Sequence, residues 1–327
     1  MLDLSNIFKD LTLLEVKETL SQIRPYVIKT PVIRSYHLEK LIGKEVYLKL
    51  EFLQPTRSFK VRGACSKALS LDKKELSYGL VTASGGNHGL GVCYAGKELN
   101  TPVVVFLPLK TAKEKVKKIE QWRGKTILHG DAWDEANQKA QEYAQDERLT
   151  YIHPFDDIAV VRGQGTIALE LLEQNPYLDA IIASVGGGGL ISGLGVVARQ
   201  MKPEIRIWGV ETVGCDAVTQ SFRKGYPVKL PAITSIADTL GAKQTTEGTL
   251  ARIRAVVNDM QTVTDEEALE ALLLMLEHEK ILIEPATSCS IAALLHDKFD
   301  LSGIKKICII LCGANVSLRQ LKEWKVL

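Results

Sequence analysis

No apolar run in this chain of 327 residues reaches the length that crosses a bilayer. Residues 1–10 carry no secretory leader pattern, so neither a membrane nor export is expected. Charge of one sign is lacking too. Lysine and arginine number 41 against 39 acidic residues, a net of +2, and the basic residues are scattered. The local cluster at 110–118 alternates with apolar positions as a solvated helix face does, and no nucleic-acid footprint is present. The six cysteines (65, 93, 215, 289, 308 and 312) form no metal-type pairs and sit mostly among apolar residues. Such thiols stay reduced, which suits the cytoplasm. Internal repeats and low-complexity linkers are absent. So is the nucleoside-triphosphate loop Gly-x4-Gly-Lys-Ser/Thr, because no lysine follows the glycine-rich turns.

What is present is material for a large core: 46% of the residues are hydrophobic, in a length that suits two lobes. Strands are expected at 45–52, 79–83, 103–107, 126–128, 178–183, 205–210 and 304–311. Helices are expected at 11–23, 111–122, 132–147, 158–174, 212–224, 245–254, 264–280 and 286–296. This alternation argues an α/β fold with mostly parallel sheets.

Residues 184–193 read Ser-Val-Gly-Gly-Gly-Gly-Leu-Ile-Ser-Gly, ahead of a helical period through Leu190, Leu194, Val197 and Met201. Gly186, Gly187, Gly188 and Gly189 thus lie on a strand-to-helix turn. Glycine loses more backbone entropy on folding than any other residue, and a tight turn alone needs one or two. Close approach of an anion to bare N–H groups at the positive end of the helix accounts for four, and a cofactor phosphate is the expected anion. A close-packed turn without a ligand is the other reading. A dinucleotide site also stays open, with Glu211 ending the next strand where a ribose-binding acid would stand. Against it, the glycines are contiguous instead of spaced Gly-x-Gly-x-x-Gly.

A second strand, glycine turn and helix occurs at Ser84-Gly85-Gly86-Asn87-His88-Gly89, with the Asn87 amide beside it. Two cradles fit a cofactor phosphate at one and a substrate carboxylate at the other. His88 reads as a cap or core histidine. Ser58 is placed to cap the helix that begins near Lys60, which puts Lys60 in the first turn. There the helix dipole lowers the amine's pKa, as Schiff-base chemistry requires. A surface lysine is the plain alternative.

In order, the chain carries Ser58-Phe59-Lys60-x-Arg62-Gly63, Ser84-Gly85-Gly86-Asn87-His88, the four glycines, Glu284-Pro285-Ala286 and Cys312-Gly313. Together these closely resemble the serine/threonine dehydratases of the fold-type II, tryptophan-synthase-β-like pyridoxal-phosphate enzymes, the family that also holds serine racemase. The resemblance covers nearly the whole chain. It implies two α/β lobes with mostly parallel twisted sheets: a large cofactor-binding lobe of 1–53 plus 156–327, and a small lobe of 54–155. Lys60 would bond pyridoxal 5'-phosphate and later remove the α-proton. Gly186, Gly187, Gly188, Gly189 and Leu190 would hold its phosphate, Asn87 its 3-oxygen and Cys312 its ring nitrogen, with Phe59 beside the ring. Ser84 and the backbone of Gly85, Asn87 and His88 would hold the substrate carboxylate. Glu211, the backbone of Cys215 and carbonyls near Leu240–Ala242 would bind a monovalent cation, potassium, because Ala217 stands where a divalent site has its second carboxylate.

The activity so implied is β-elimination from L-serine or L-threonine to a 2-oxo acid and ammonia, in a cytoplasmic homodimer. Another β-hydroxy amino acid (an aryl-serine or 3-hydroxyaspartate) and racemisation are the alternatives within the family. Racemase members carry a proton-donating serine where this chain has Gly85. Outside the family stand a nicotinamide-dependent oxidoreductase and a cofactor carrier without turnover.

Overall fold

The computed structural model describes residues 9–326, so most of the stretch 1–10 read for a leader lies outside the described residues. Among the described residues, ten short strands form two sheets. The strands are β1 (Val32–Arg34), β2 (Glu45–Lys49), β3 (Leu80–Ala83), β4 (Val103–Leu107), β5 (Lys125–Leu128), β6 (Thr150–Tyr151), β7 (Ala180–Ser184), β8 (Arg206–Thr212), β9 (Asp259–Val263) and β10 (Lys306–Ile310). The larger sheet runs β1-β2-β10-β7-β8-β9 and the smaller runs β5-β4-β3-β6. Strands β1 and β2 pair antiparallel; the other strand pairs among the described residues are parallel. The α/β reading therefore holds. Strands β3, β4 and β7 are buried at every position, as parallel strands covered on both faces must be. Among the described residues no helix is long and apolar enough to cross a membrane.

Three expectations differ most from the structure. Residues 259–263, Asp-Met-Gln-Thr-Val, pair with β8 as a strand that their polarity concealed. The helix expected from 212 begins at Ala217, because Thr212 ends β8 and Gly214 turns the chain with φ +83°. The helix expected over 264–280 is α-helical only for Asp265–Leu274, and Met275–Glu279 widens to a π-helical turn before Lys280 stops it in the left-handed region.

The helix Lys60–Leu69 packs against both Asn87–Glu98 and Ile158–Gln174. Its register is pinned by charge as well as by apolar contact. Arg62, with no exposed surface, forks between two carboxylates: Glu51 at 2.8 Å and Glu170 at 2.7 Å. Lys49 reaches the same Glu170 at 3.0 Å. Two cations thus face two anions in the interior, the balance that buried charge demands. All six cysteines are free and buried, in line with reduced thiols.

Candidate active site

Open parallel sheets gather ligand-binding loops at the carboxyl ends of their strands. Here β7 runs into the tetraglycine turn and the helix Gly189–Met201, and β3 runs into Ser84-Gly85-Gly86 and the helix Asn87–Glu98. β10 runs into Leu311-Cys312-Gly313. A cleft of about 480 Å³, open mouth included, is lined by Phe59, Lys60, Asn87, the four glycines, Leu190 and Cys312. Every residue the sequence assigned to the cofactor meets there.

The tetraglycine turn is bare for two reasons at once. A Cβ on Gly187 would collide with the Phe155 ring, one on Gly189 would stand 2.8 Å from the Phe155 backbone, and one on Gly186 would stand 3.1 Å from Leu240. Packing alone therefore excludes side chains, so the close-packed-turn reading is correct as far as it goes. Gly188, at φ +100°, opens the next helix with no side chain capping it. The first-turn N–H groups of a helix have no acceptor within it. Next to the cleft, these groups fit a phosphate, whose charge also suits the positive end of the helix.

Lys60 is the first residue of its helix, yet the cap differs from expectation. Phe59 holds that position without a side-chain bond, while Ser58 pairs with Gly313 across a β-bridge and its hydroxyl has no partner. The Lys60 amine donates to the Pro154 carbonyl at 2.8 Å and lies 5.2 Å from the centre of the Phe59 ring. Burial pulls its pKa down to about 8, against a smaller opposing effect of Cys312. The direction is the one expected, with desolvation as its cause. Cys312 sits 3.1 Å from Thr287 Oγ1, and burial pushes its thiol up to about 12, so it stays protonated and neutral.

Of the residues expected to hold a substrate carboxylate, only Asn87 lines the cleft. The Ser84 hydroxyl accepts the Gly86 N–H at 3.3 Å. A Cβ on Gly85 would press on Leu107 at 3.2 Å, with Thr111 and Lys115 behind it. His88 is a core histidine: its Nε2 meets the Ile152 carbonyl at 3.0 Å and burial drives its pKa down to about 3. What remains for a carboxylate is the uncapped helix start at Gly86.

The Glu211 carboxylate, expected beside a cation, is held by backbone donors. Both Glu211 oxygens accept backbone N–H groups, from Val218 at 3.2 Å and Thr219 at 2.5 Å, so this carboxylate caps the helix Ala217–Lys224. Burial raises its pKa to about 8. The Cys215 thiol faces the Ala237 carbonyl. Among the described residues no group of three or more His, Cys, Asp or Glu side chains is placed to hold a metal ion. Sequence reasoning also passed over Phe155, Thr239 and Glu284, which line the cleft. Glu284 stood in a quoted motif but received no role.

The family model described as pyridoxal-phosphate dependent enzyme matches residues 23–313. An L-threonine ammonia-lyase of Thermotoga maritima is 34% identical over 95% of this chain and 77% of its own length. A serine racemase of Dictyostelium discoideum is 39% identical over 95% of this chain and 97% of its own. The solved structure of maize serine racemase superposes with a TM-score of 0.91 at 33% identity, covering 95% of each chain. These matches overturn the nicotinamide reading, and with it the ribose role for Glu211. The chain belongs to the family of pyridoxal-phosphate-dependent enzymes.

Proposed function

We propose that this protein removes water from L-serine or L-threonine and releases a 2-oxo acid and ammonia. The observation that carries the reading is the pairing of Lys60 with Cys312 across one cleft. Bound pyridoxal phosphate supplies an electron-accepting ring that acidifies the α-hydrogen of an attached amino acid. The residues around it divide the remaining work. Lys60, with its amine near pKa 8, takes up and gives back a proton at the α-carbon around neutral pH. The first-turn N–H groups after Gly188 hold the phosphate, and Asn87 and Phe59 fix the ring. Cys312, a neutral thiol, would face the ring nitrogen without protonating it. A ring left unprotonated would draw electrons less strongly, which would favour loss of a β-hydroxyl over lasting charge at the α-carbon. The enamine product then takes up water to give the 2-oxo acid and ammonia.

Relatives bearing the name serine racemase support racemisation as a second reading. Gly85 weighs against it, since a residue without a side chain carries no proton to the α-carbon. The division into lobes 1–53 plus 156–327 and 54–155 belongs to the same proposal, supported by a small sheet built only from strands between Leu80 and Tyr151. So do the homodimer and the cytoplasmic location. The test incubates purified holoenzyme with each amino acid and measures 2-oxo acid and D-isomer together. Oxo acid in excess of D-serine is expected. Racemisation as fast as elimination, or no oxo acid from either substrate, would overturn the proposal.

A further inference from the structure

Glu284 is a buried carboxylate in the cleft wall, 3% exposed, and its partners are all neutral donors. Oε1 accepts Asn87 Nδ2 at 2.7 Å and Thr239 Oγ1 at 3.1 Å, and Oε2 accepts the Asn315 backbone N–H at 2.8 Å. Burial raises its pKa, and those hydrogen bonds resist the shift. A carboxylate so placed is costly unless it does something.

Its geometry shows what. The Asn87 amide is gripped at both ends, because Asn315 Nδ2 donates to Asn87 Oδ1 at 2.7 Å. Asn315 Nδ2 also donates to the Thr56 carbonyl at 2.8 Å, and a carbonyl can only accept. Asn315 must therefore present its NH₂, and Asn87 must answer with its oxygen. An ionised carboxylate also only accepts, so Asn87 must turn its NH₂ toward Glu284. The two constraints agree on a single orientation. An amide has two N–H donors, so one N–H of Asn87 stays unengaged in a side chain that lines the cleft.

We propose that Glu284 is a positioning residue for Asn87: with Asn315, it fixes which end of the Asn87 amide faces the cofactor. The inference rests on the placement of Asn87 beside the pyridoxal ring. Glutamine at 284 keeps the shape but turns one acceptor into a donor. It can satisfy Asn87 Nδ2 or the Asn315 N–H, and not both.

The test is a double-mutant cycle on Glu284→Gln and Asn87→Ala, read by titrating apoprotein with pyridoxal 5'-phosphate and by the visible absorbance of the holoenzyme. Each single variant is expected to weaken cofactor binding by roughly tenfold, the worth of one hydrogen bond to a charged group. The double variant should fall within about twofold of Asn87→Ala, and Glu284→Gln should shift the absorbance maximum. Thermal melting accompanies each variant. If Glu284→Gln does not fold, Asn315→Ala frees the other end of the same amide, and its cycle with Asn87→Ala decides in the same terms. Additive losses, or full affinity in a folded Glu284→Gln, would overturn the proposal. Full affinity in Asn87→Ala would instead refute the placement of Asn87, and cofactor titration is indifferent to which amino acid is turned over.

Discussion

Replacing Arg62 by methionine tests whether the buried charge network holds the helix that presents Lys60. The guanidinium makes four contacts to carboxylate oxygens, two to Glu51 at 2.8 Å each and two to Glu170 at 2.7 and 3.0 Å. It also donates to Thr166 Oγ1 and to the Ile28 carbonyl. Methionine fills similar space but leaves two buried carboxylates facing Lys49 alone. Breaking a buried pair from one side costs about 3–5 kcal/mol. Unfolding entropy of roughly 2.1 cal/mol/K per residue over 327 residues gives roughly 0.7 kcal/mol per degree. The variant should therefore melt about 4–7 °C lower at pH 8.

The pH dependence of that loss is the sharper signature. In the native protein burial pushes Glu51 up, but Arg62 outweighs it and the net pKa lies below the ordinary carboxylate value. A depressed carboxylate stabilises the fold above its unfolded pKa, and that contribution fades as pH falls through the folded value. Without Arg62, burial dominates and Glu51 rises above the ordinary value. The folded variant then binds the proton more readily than its unfolded chain, so its stability should increase as pH falls from 8 toward 5. Melting curves of both proteins across that range are the assay. A loss under about 2 °C at pH 8, or a variant that tracks the wild-type pH profile, would refute the reasoning.

Uptake of pyridoxal phosphate by apoprotein should quicken as pH rises, half-maximal near 8, because the neutral Lys60 amine is the reacting form; Lys60→Ala serves as the blank and should neither take up the chromophore nor turn over serine. Cys312→Ser, another neutral donor, should preserve oxo-acid formation, whereas Cys312→Asp should suppress it by protonating the ring nitrogen, and equal rates in both would remove Cys312 from that role.

The site was legible where chemistry is written in contiguous residues. Four glycines in a row, a lysine in a first helical turn and a cysteine at a strand end each announce themselves locally, and β4 reads as a continuous apolar run, with β3 and β7 apolar but for Thr82 and Ser184. The rest depends on partners far away in the chain. Nothing near Gly187 tells that Phe155 forbids a side chain there. The backbone N–H groups that Glu211 accepts, at Val218 and Thr219, are set by a turn invisible in composition. Strand β9 alternates polar residues on a half-covered edge, so its period carries little apolar signal. Ser58 looked like a cap, yet its pairing with Gly313 draws it into a bridge instead.

Strand β10, formed by Lys306–Ile310, lies in the middle of the six-stranded sheet, between β2 and β7. Emerging from a ribosome, the chain displays both of those neighbours long before the strand that joins them exists. Until then each keeps one edge of unpaired backbone groups, and Cys312 and Gly313, which follow β10, are not yet in the chain. The full lining of the cleft is therefore complete only once Cys312 has been made. The link between Glu45–Lys49 and its neighbour also spans most of the polypeptide, a long-range pairing that slows folding. A nascent chain stalled before residue 306 would hold Lys60 and the glycine turn without the Cys312 that completes the cleft lining.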